Sequence, residues 1–374
     1  MKSIVYADNA ATTRLDPDAF DAMVPYLVNE YGNPSQQYAF SRNPKRALAD
    51  ARASIAECIG AKADEVFFTS CGTESDNWVI KASAFSDQNK KATITSAFEH
   101  HAILHACAAI ERLGYPVAYL MPTADGVITP SILESCITPE TRLVSIMTAN
   151  NEIGTIQPIK ALSEVAHTYG ARFHTDAVQA VGHIPINVHD LDVDYLSASA
   201  HKFNGPRGIG FLYLREGADL PSFLDGGAQE KGKRAGTENV AAAVAMAVAL
   251  KKNCDSIEEN AVTLSSLEAT LLNRLRAAHI PFVHNGTGEH LPGVMSLSFP
   301  GKDGEAILHR LDLLGICVST GSACNSKSTE ISHVLRAIRL DDELAKGTIR
   351  ISLGKDTTLE DVERIALALH KVLS

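Results

Sequence analysis

The chain has 374 residues, a formal charge of −10 at pH 7, 45% hydrophobic and 21% charged residues. That is ordinary globular composition with ample material for a core, and it excludes a disordered chain, a collagen and a coiled coil. The acidic balance argues against nucleic-acid binding, which needs a basic surface. The longest apolar run, residues 240–250, is half alanine and too short to span a bilayer. Asp8 stands where the apolar stretch of a leader would run, so a cytoplasmic protein without membrane contact is expected. Seven cysteines without a Cys-x-x-Cys pair speak against a disulfide framework, a structural zinc site or a metal-binding regulator.

In chain order, residues 43–59 read as a helix with Asn43 as its cap, Pro44 in its first turn and Gly60 after its end. Seven β-rich runs follow, at 66–69, 92–96, 117–120, 143–148, 172–175, 194–199 and 209–214. Helical stretches lie between several of them, such as 159–169 with Gly170 as stop signal. The alternation predicts a mainly parallel seven-stranded sheet covered by helices. Beyond 215 come a Gly-rich charged segment at 224–239, helices at 237–252 and 256–279, apolar runs at 294–299 and 349–353, a Ser/Gly-rich stretch at 319–328, and an amphipathic helix at 358–373. This reads as an α/β protein with a large domain, 16–256, and a smaller α+β domain made of 1–15 and 257–374.

Ligands of open α/β sheets sit beyond the carboxyl ends of the strands, so the residues there are the candidates. Ser70-Cys71-Gly72-Thr73 opens a helix after the first run, in outline an anion cradle, although a plain turn and cap fits as well. Glu99-His100-His101 follows the second, where one histidine could stack on a ring or move a proton while the other faces solvent. Asn150 and Asn151 follow the fourth, in what could be an ordinary turn. Asp176, with Gln179 nearby, follows the fifth; it could cap a helix or hold a protonated pyridine nitrogen. His201-Lys202 follows the sixth, ahead of a glycine-rich turn; a buried lysine there is a candidate amine nucleophile for a Schiff base. Cys324 lies among small polar residues and is a candidate nucleophile, unless it is an accidental exposed thiol. Phosphate cradle, aspartate and lysine together are the parts of a pyridoxal phosphate (PLP) site.

With these motifs in order, the sequence resembles the cysteine desulfurases of the NifS/IscS group, PLP enzymes of the class V aminotransferase type and of fold type I. The resemblance runs from YADNAATT through YGNPS, FTSCGTESDN, EHHAIL, ANNEIGTIQP, FHTDAVQAVG, SAHKFNGPRGIGFLYLR and RAGTEN to STGSACNS and IRISLG. It implies that Lys202 carries PLP, that Asp176 pairs with the pyridine nitrogen and that Gln179 bonds the ring oxygen. His100 would stack on the ring and assist proton transfer, with Asn151 beside the ring. Gly72, Thr73, Ser199 and His201 would hold the phosphate. Thr237 would reach the phosphate of a second subunit, which implies a homodimer. Arg350, with Asn151, would bind the carboxylate of L-cysteine.

Cys324 matches the sulfur-accepting nucleophile, and its Gly/Ser-rich surroundings suit a segment that must move. The implied reaction converts L-cysteine to L-alanine and leaves a persulfide on Cys324, with the sulfur passed to an iron–sulfur scaffold protein, to tRNA thiolation or to another acceptor. Transient ligation of a nascent iron–sulfur cluster by Cys324 is implied as well. A selenocysteine lyase, another class V PLP enzyme, or a sulfur-relay scaffold dependent on a docked partner are the alternatives. The chain departs from the family pattern at Cys71 in the phosphate turn, at Tyr38 where relatives often carry histidine, and at Ala200 where glycine is common. Cys71 is expected to pack beside the cofactor, not to act as a second nucleophile.

Overall fold

The β-rich runs are short and apolar on both sides, which leaves them no stable place except between two layers of helix. In the computed structural model, which describes residues 4–86, 91–286, 288–321 and 331–374, they take that place. In chain order the elements are β1 (Val5–Tyr6), α1 (Pro17–Val28), α2 (Arg42–Cys58), β2 (Val66–Thr69), α3 (Gly72–Ser86), β3 (Ala92–Ser96), α4 (His101–Glu111), β4 (Val117–Leu120), α5 (Pro130–Glu134), β5 (Thr141–Ser145), α6 (Ile159–Thr168), β6 (Arg172–Asp176), β7 (Tyr195–Ser199) and β8 (Gly210–Leu214). Then follow α7 (Val240–Asp255), α8 (Ile257–Ala277), β9 (Val283–Asn285), β10 (Val294–Ser298), α9 (Gly304–Leu313), β11 (Ile316–Cys317), α10 (His333–Ala337), α11 (Asp342–Lys346), β12 (Thr348–Ser352) and α12 (Leu359–Leu373).

Seven strands form one sheet in the order β2-β8-β7-β6-β5-β3-β4. The pairs along β7-β6-β5-β3-β4 are parallel, and β8 is antiparallel to both of its neighbours. Successive side chains on a strand face opposite layers. Phe67, Leu143 and Tyr195 therefore join Trp78 of α3 and Ile103 of α4 on one face. Phe68, Val144 and Leu196, each one residue later, join Ile55 of α2, Leu162 of α6 and Leu250 of α7 on the other.

A second apolar core gathers Val5, Leu271, Leu297, Ile316, Ile351 and Leu369. It is built on an antiparallel sheet, β12-β10-β9, and on the parallel pair β1-β11. Beyond β1 the N-terminal segment crosses between the cores: the Asn9 N–H donates to Ser352 O, and the Thr13 N–H donates to His201 O. No described helix is long and apolar enough to cross a membrane.

The first long helix begins one residue earlier than its sequence cues. A 3₁₀ turn over residues 39–41 runs into Arg42, so Asn43 lies inside α2 and Ser41 is the boundary residue, without a side-chain cap bond. Pro44 is accommodated because it sits within the first turn, where N–H groups have no helical partner.

Candidate active site

The carboxyl ends of β2, β3, β5, β6 and β7 open into a cavity of about 360 Å³. Gly72, Thr73, His100, Asn151, Asp176, Gln179, Ser199, His201, Lys202 and Arg350 all line it. The sequence-expected residues are thus brought together, with two exceptions. Thr237 is exposed and lies outside this cavity, and Cys324 lies outside the described residues, as does the remainder of 322–330.

One end of the cavity is built for an anion. The fifteen-residue helix α3 starts at Gly72, so its free N–H groups and positive dipole end face inward. Gly72 is buried, and a Cβ there would come within 2.5 Å of Val178 Cγ2, so a larger residue would have to push the Val178 side chain aside. Ser199 Oγ is buried there without a hydrogen-bond partner. The turn before the helix is braced by charge: Glu74 accepts the Ser70 N–H at 2.8 Å and takes Arg234 on both carboxylate oxygens at 2.7 and 3.1 Å. Burial raises the Glu74 pKa, but Arg234 and Ser70 outweigh it and hold the carboxyl below its ordinary range.

Lys202 follows β7 in a turn that Asn204 closes in the left-handed region, φ +63°. The Asn204 N–H donates to Thr13 Oγ1 and its amide to Arg14 O, while His183 bonds the Lys202 carbonyl at 2.8 Å. The Lys202 ammonium donates to the carbonyls of Ala10 and Ala11 at 2.5 and 2.9 Å. The Gln179 amide reaches the same Ala10 carbonyl at 2.9 Å. The N-terminal segment therefore sets where the amine stands.

Asp176 ends β6, accepts the Val178 N–H at 2.9 Å and is buried. Burial lifts its pKa to about 6, against the pull of Val178 and Lys202. Its carboxylate is short of partners, which suits a ligand that brings a proton or positive charge. His100 caps α4 by accepting the Ala102 N–H on Nδ1 at 3.2 Å. Nε2 is then the protonated nitrogen. Burial, with Lys202 and the nearby histidines, brings the His100 pKa down to about 4, so the ring is neutral at pH 7.

The loop after β5 separates the two asparagines. Asn150 is structural: its Oδ1 accepts the N–H groups of Glu152 and Ile153, and its amide donates to Phe98 O. That turn presents Asn151 to the cavity. Arg350, from β12, donates to Asn151 O at 2.8 Å and to Asp8 Oδ1 at 2.7 Å, while its buried Nε has no partner. A guanidinium fixed at two corners with one N–H unmet can take an anionic ligand group.

Several cavity residues escaped the reading of the sequence. Both adjacent histidines line the cavity, against the expectation that one faces solvent, because His100 caps the helix and His101 occupies its first turn. His101 also packs against His333, ring centroids 4.7 Å apart. Asp76, one turn into α3, is buried with Oδ1 unpartnered, and its pKa stands well above the ordinary range through burial and the neighbouring Asp176. Glu152 bonds Ser332 Oγ at 2.5 Å, and burial lifts its pKa to about 7. The motif FTSCGTESDN carried Asp76, but its helical period alone makes it look like any polar position. Cys71 lines the cavity as well, its sulfur 3.7 Å from Ser70 Oγ.

The arrangement suits a ligand with a phosphate at the α3 end, a flat ring with a basic nitrogen near Asp176 and a carbonyl within reach of Lys202. The aminotransferase class-V family profile matches residues 5–365. The chain is 46% identical to the cysteine desulfurase IscS of Dictyoglomus turgidum, covering 100% of this chain and 95% of that protein. It is also 46% identical to the cysteine desulfurase IscS of Methanosarcina thermophila, covering 99% and 92%. Among solved structures, a NifS-like protein superposes with a TM-score of 0.93 at 36% identity over 99% of each chain.

Proposed function

We propose that this chain, which belongs to the aminotransferase class-V family, is a PLP-dependent cysteine desulfurase that converts L-cysteine to L-alanine and passes the sulfur to Cys324. The observation that carries the reading is the half-buried lysine amine just after β7, in one cavity with Asp176, His100 and the α3 helix start. Full-length similarity to named cysteine desulfurases supports the substrate.

PLP supplies an electron sink for the pair left behind when an amino acid loses its α-proton. Lys202 Nζ is the group to hold its aldehyde carbon and, once released, to take the α-proton of the substrate. Gly72, Thr73, Ser199 and His201 hold the phosphate; the unpartnered Ser199 hydroxyl and the helix start supply donors. Asp176 would keep the ring nitrogen protonated, and Gln179 would bond the ring oxygen. His100, neutral at pH 7, would stack on the ring and offers an Nε2–H that can donate. Arg350 and Asn151 orient the substrate carboxylate. Cys324 as thiolate attacks the substrate sulfur: an S–S bond forms, the carbon–sulfur bond breaks, and its electron pair stays with the carbon fragment that becomes alanine.

The expected division into domains 16–256 and 1–15 with 257–374 is supported by the second core, which draws only on the latter segments, while the first core also takes in Leu291, Val294, Val334, Leu335, Ala337, Ile338 and Ala345. Thr237, exposed beside α7, is proposed to complete the site of a second copy in a homodimer. The sulfur acceptor is proposed to be an iron–sulfur scaffold protein or another carrier, with cluster contact at Cys324 only transient. Incubation with L-cysteine tests the reading: a mass gain of one sulfur on the Cys324 peptide with stoichiometric alanine is expected. Alanine without sulfur at Cys324, or no alanine, overturns it.

A further inference from the structure

Away from the cavity, three side chains converge that the reaction does not use. Glu268 on α8, His284 in β9 and His290 in the turn between β9 and β10 bring one ligand atom each to within 4.8 Å of one another. Glu268 Oε1 and His290 Nε2 are 2.8 Å apart, and the two imidazoles meet edge to face, centroids 5.7 Å apart. His284 Nε2 is buried and has no hydrogen-bond partner; a buried nitrogen left so calls for an explanation. The outer contacts are those of ligands held in place. His290 Nδ1 faces Gly288 O at 3.3 Å, and Glu268 Oε2 accepts the Gly293 N–H at 3.0 Å.

We propose that Glu268, His284 and His290 form a binding site for a divalent transition-metal ion of the zinc class. Two imidazoles and one carboxylate are a borderline-soft donor set, suited to zinc and unlike the all-oxygen shells of calcium and magnesium. Burial lowers the His284 pKa, so it offers the neutral ring that ligation needs. His290 is drawn upward by Glu268; the ion displaces that proton to solvent. Among the described residues the positive groups felt at His284 are His290 and Arg276, the latter set over the Phe282 ring, and the Glu268 carboxylate opposes them. Three protein ligands leave a fourth position to water.

The role is structural. The Ile156 N–H donates to Glu289 O, and His290 bridges to Thr155. An ion here ties α8 and β9 to the strand segment that follows Asn151 and Glu152. Sequence spacing gives no hint of it, because the ligands sit at 268, 284 and 290 without a recognisable motif.

The test uses the PLP-loaded protein, stripped with a chelator and dialysed against micromolar zinc. One zinc per chain and a Tm rise of about 2 °C or more are expected. Both should vanish in His284→Gln, which breaks no hydrogen bond or ion pair among the described residues, while its zinc-free Tm and its desulfurase turnover stay at wild-type values. His290→Gln repeats the test should the first variant fold poorly. Zinc uptake unchanged in both variants, uptake abolished by alkylating the cysteines instead, or no zinc-dependent Tm rise overturns the proposal.

Discussion

Asp194 and Asp176 lie on neighbouring strands of one sheet, both buried, and their surroundings could hardly differ more. Asp194 stands at the amino end of β7 and is fully engaged: Arg172 on Oδ1, and His167 and the Phe173 N–H on Oδ2, all at 2.8 Å. Burial pushes its pKa up, but those partners win and hold it below its ordinary value. Asp176, at the carboxyl end of β6, has the Val178 N–H and the nearby Lys202 charge, and burial wins instead. Asp76, Glu99 and Glu152 near the same cavity are also pushed up, with burial the leading cause in each. Carboxylates that hold the fold together are satisfied by the protein. Asp176, with one N–H on its carboxylate, keeps bonding capacity in reserve, an electrostatic mark of a site awaiting a ligand, whereas Glu99 takes the Ser96 hydroxyl and the Met147 N–H and Glu152 takes Ser332.

The comparison can be broken at five residues. The largest effect belongs to the chemistry. Lys202→Ala should abolish the visible absorbance of bound PLP and lower turnover at least about a thousandfold; unchanged yellow colour removes the lysine assignment. Cys324→Ser should keep that colour and lose sulfide release, and retained turnover would make Cys71 the first suspect.

Next comes Asp194→Ala, which strands two cationic partners and a buried N–H. It should cost about 3–5 kcal/mol in denaturant unfolding and leave turnover per folded molecule intact. Its pH signature follows from a lowered pKa: the stabilisation is present above the ordinary value of 3.8 and lost as pH falls below it. A small cost, or one that persists in strong acid, contradicts the ion-pair account.

Asp176→Asn should act in the opposite direction. A carboxyl raised from 3.8 to about 6 stabilises the fold below the lower value and loses that contribution as pH rises through the higher one. In cofactor-free protein the amide should therefore be the more stable form above pH 6, by up to about 3 kcal/mol, and no more stable below pH 4. The same variant should lose turnover. Equal stability at pH 7 would mean that the carboxylate has partners not seen here.

The smallest effect is expected of Arg350→Ala. Loss of a charge-assisted pair should raise KM for cysteine about ten- to a hundredfold with little change in PLP absorbance. A KM that hardly moves assigns the substrate carboxylate to another cation.

Much of this was legible beforehand. The runs at 66–69, 92–96 and 117–120 form strands with the same limits, because a short apolar run between turn signals has few other options. The expected ring and phosphate residues other than Thr237 fell just beyond strand ends, where local order along the chain already put them. Asn43 misled, since a preceding 3₁₀ turn took over the helix start, and one histidine of the adjacent pair was wrongly turned to solvent. Asp76, Glu152 and the Ala10–Ala11 carbonyls were missed because nothing in their local spacing marks them; each matters through a neighbour far away in the chain.

By itself, then, the amino-acid order determined the seven strands of the main sheet to within a few residues and which residue types stand after each, consequences of periodicity and local hydrogen bonding, but it marked neither α1 nor the short strands β1, β9 and β11. Only tertiary structure decided which buried carboxylates find cationic partners and which do not, which of two asparagines faces inward, and that Glu268, His284 and His290 converge. Those outcomes depend on groups distant in sequence meeting in a low-dielectric interior, where a missing or present partner moves a charge far more than anything encoded nearby.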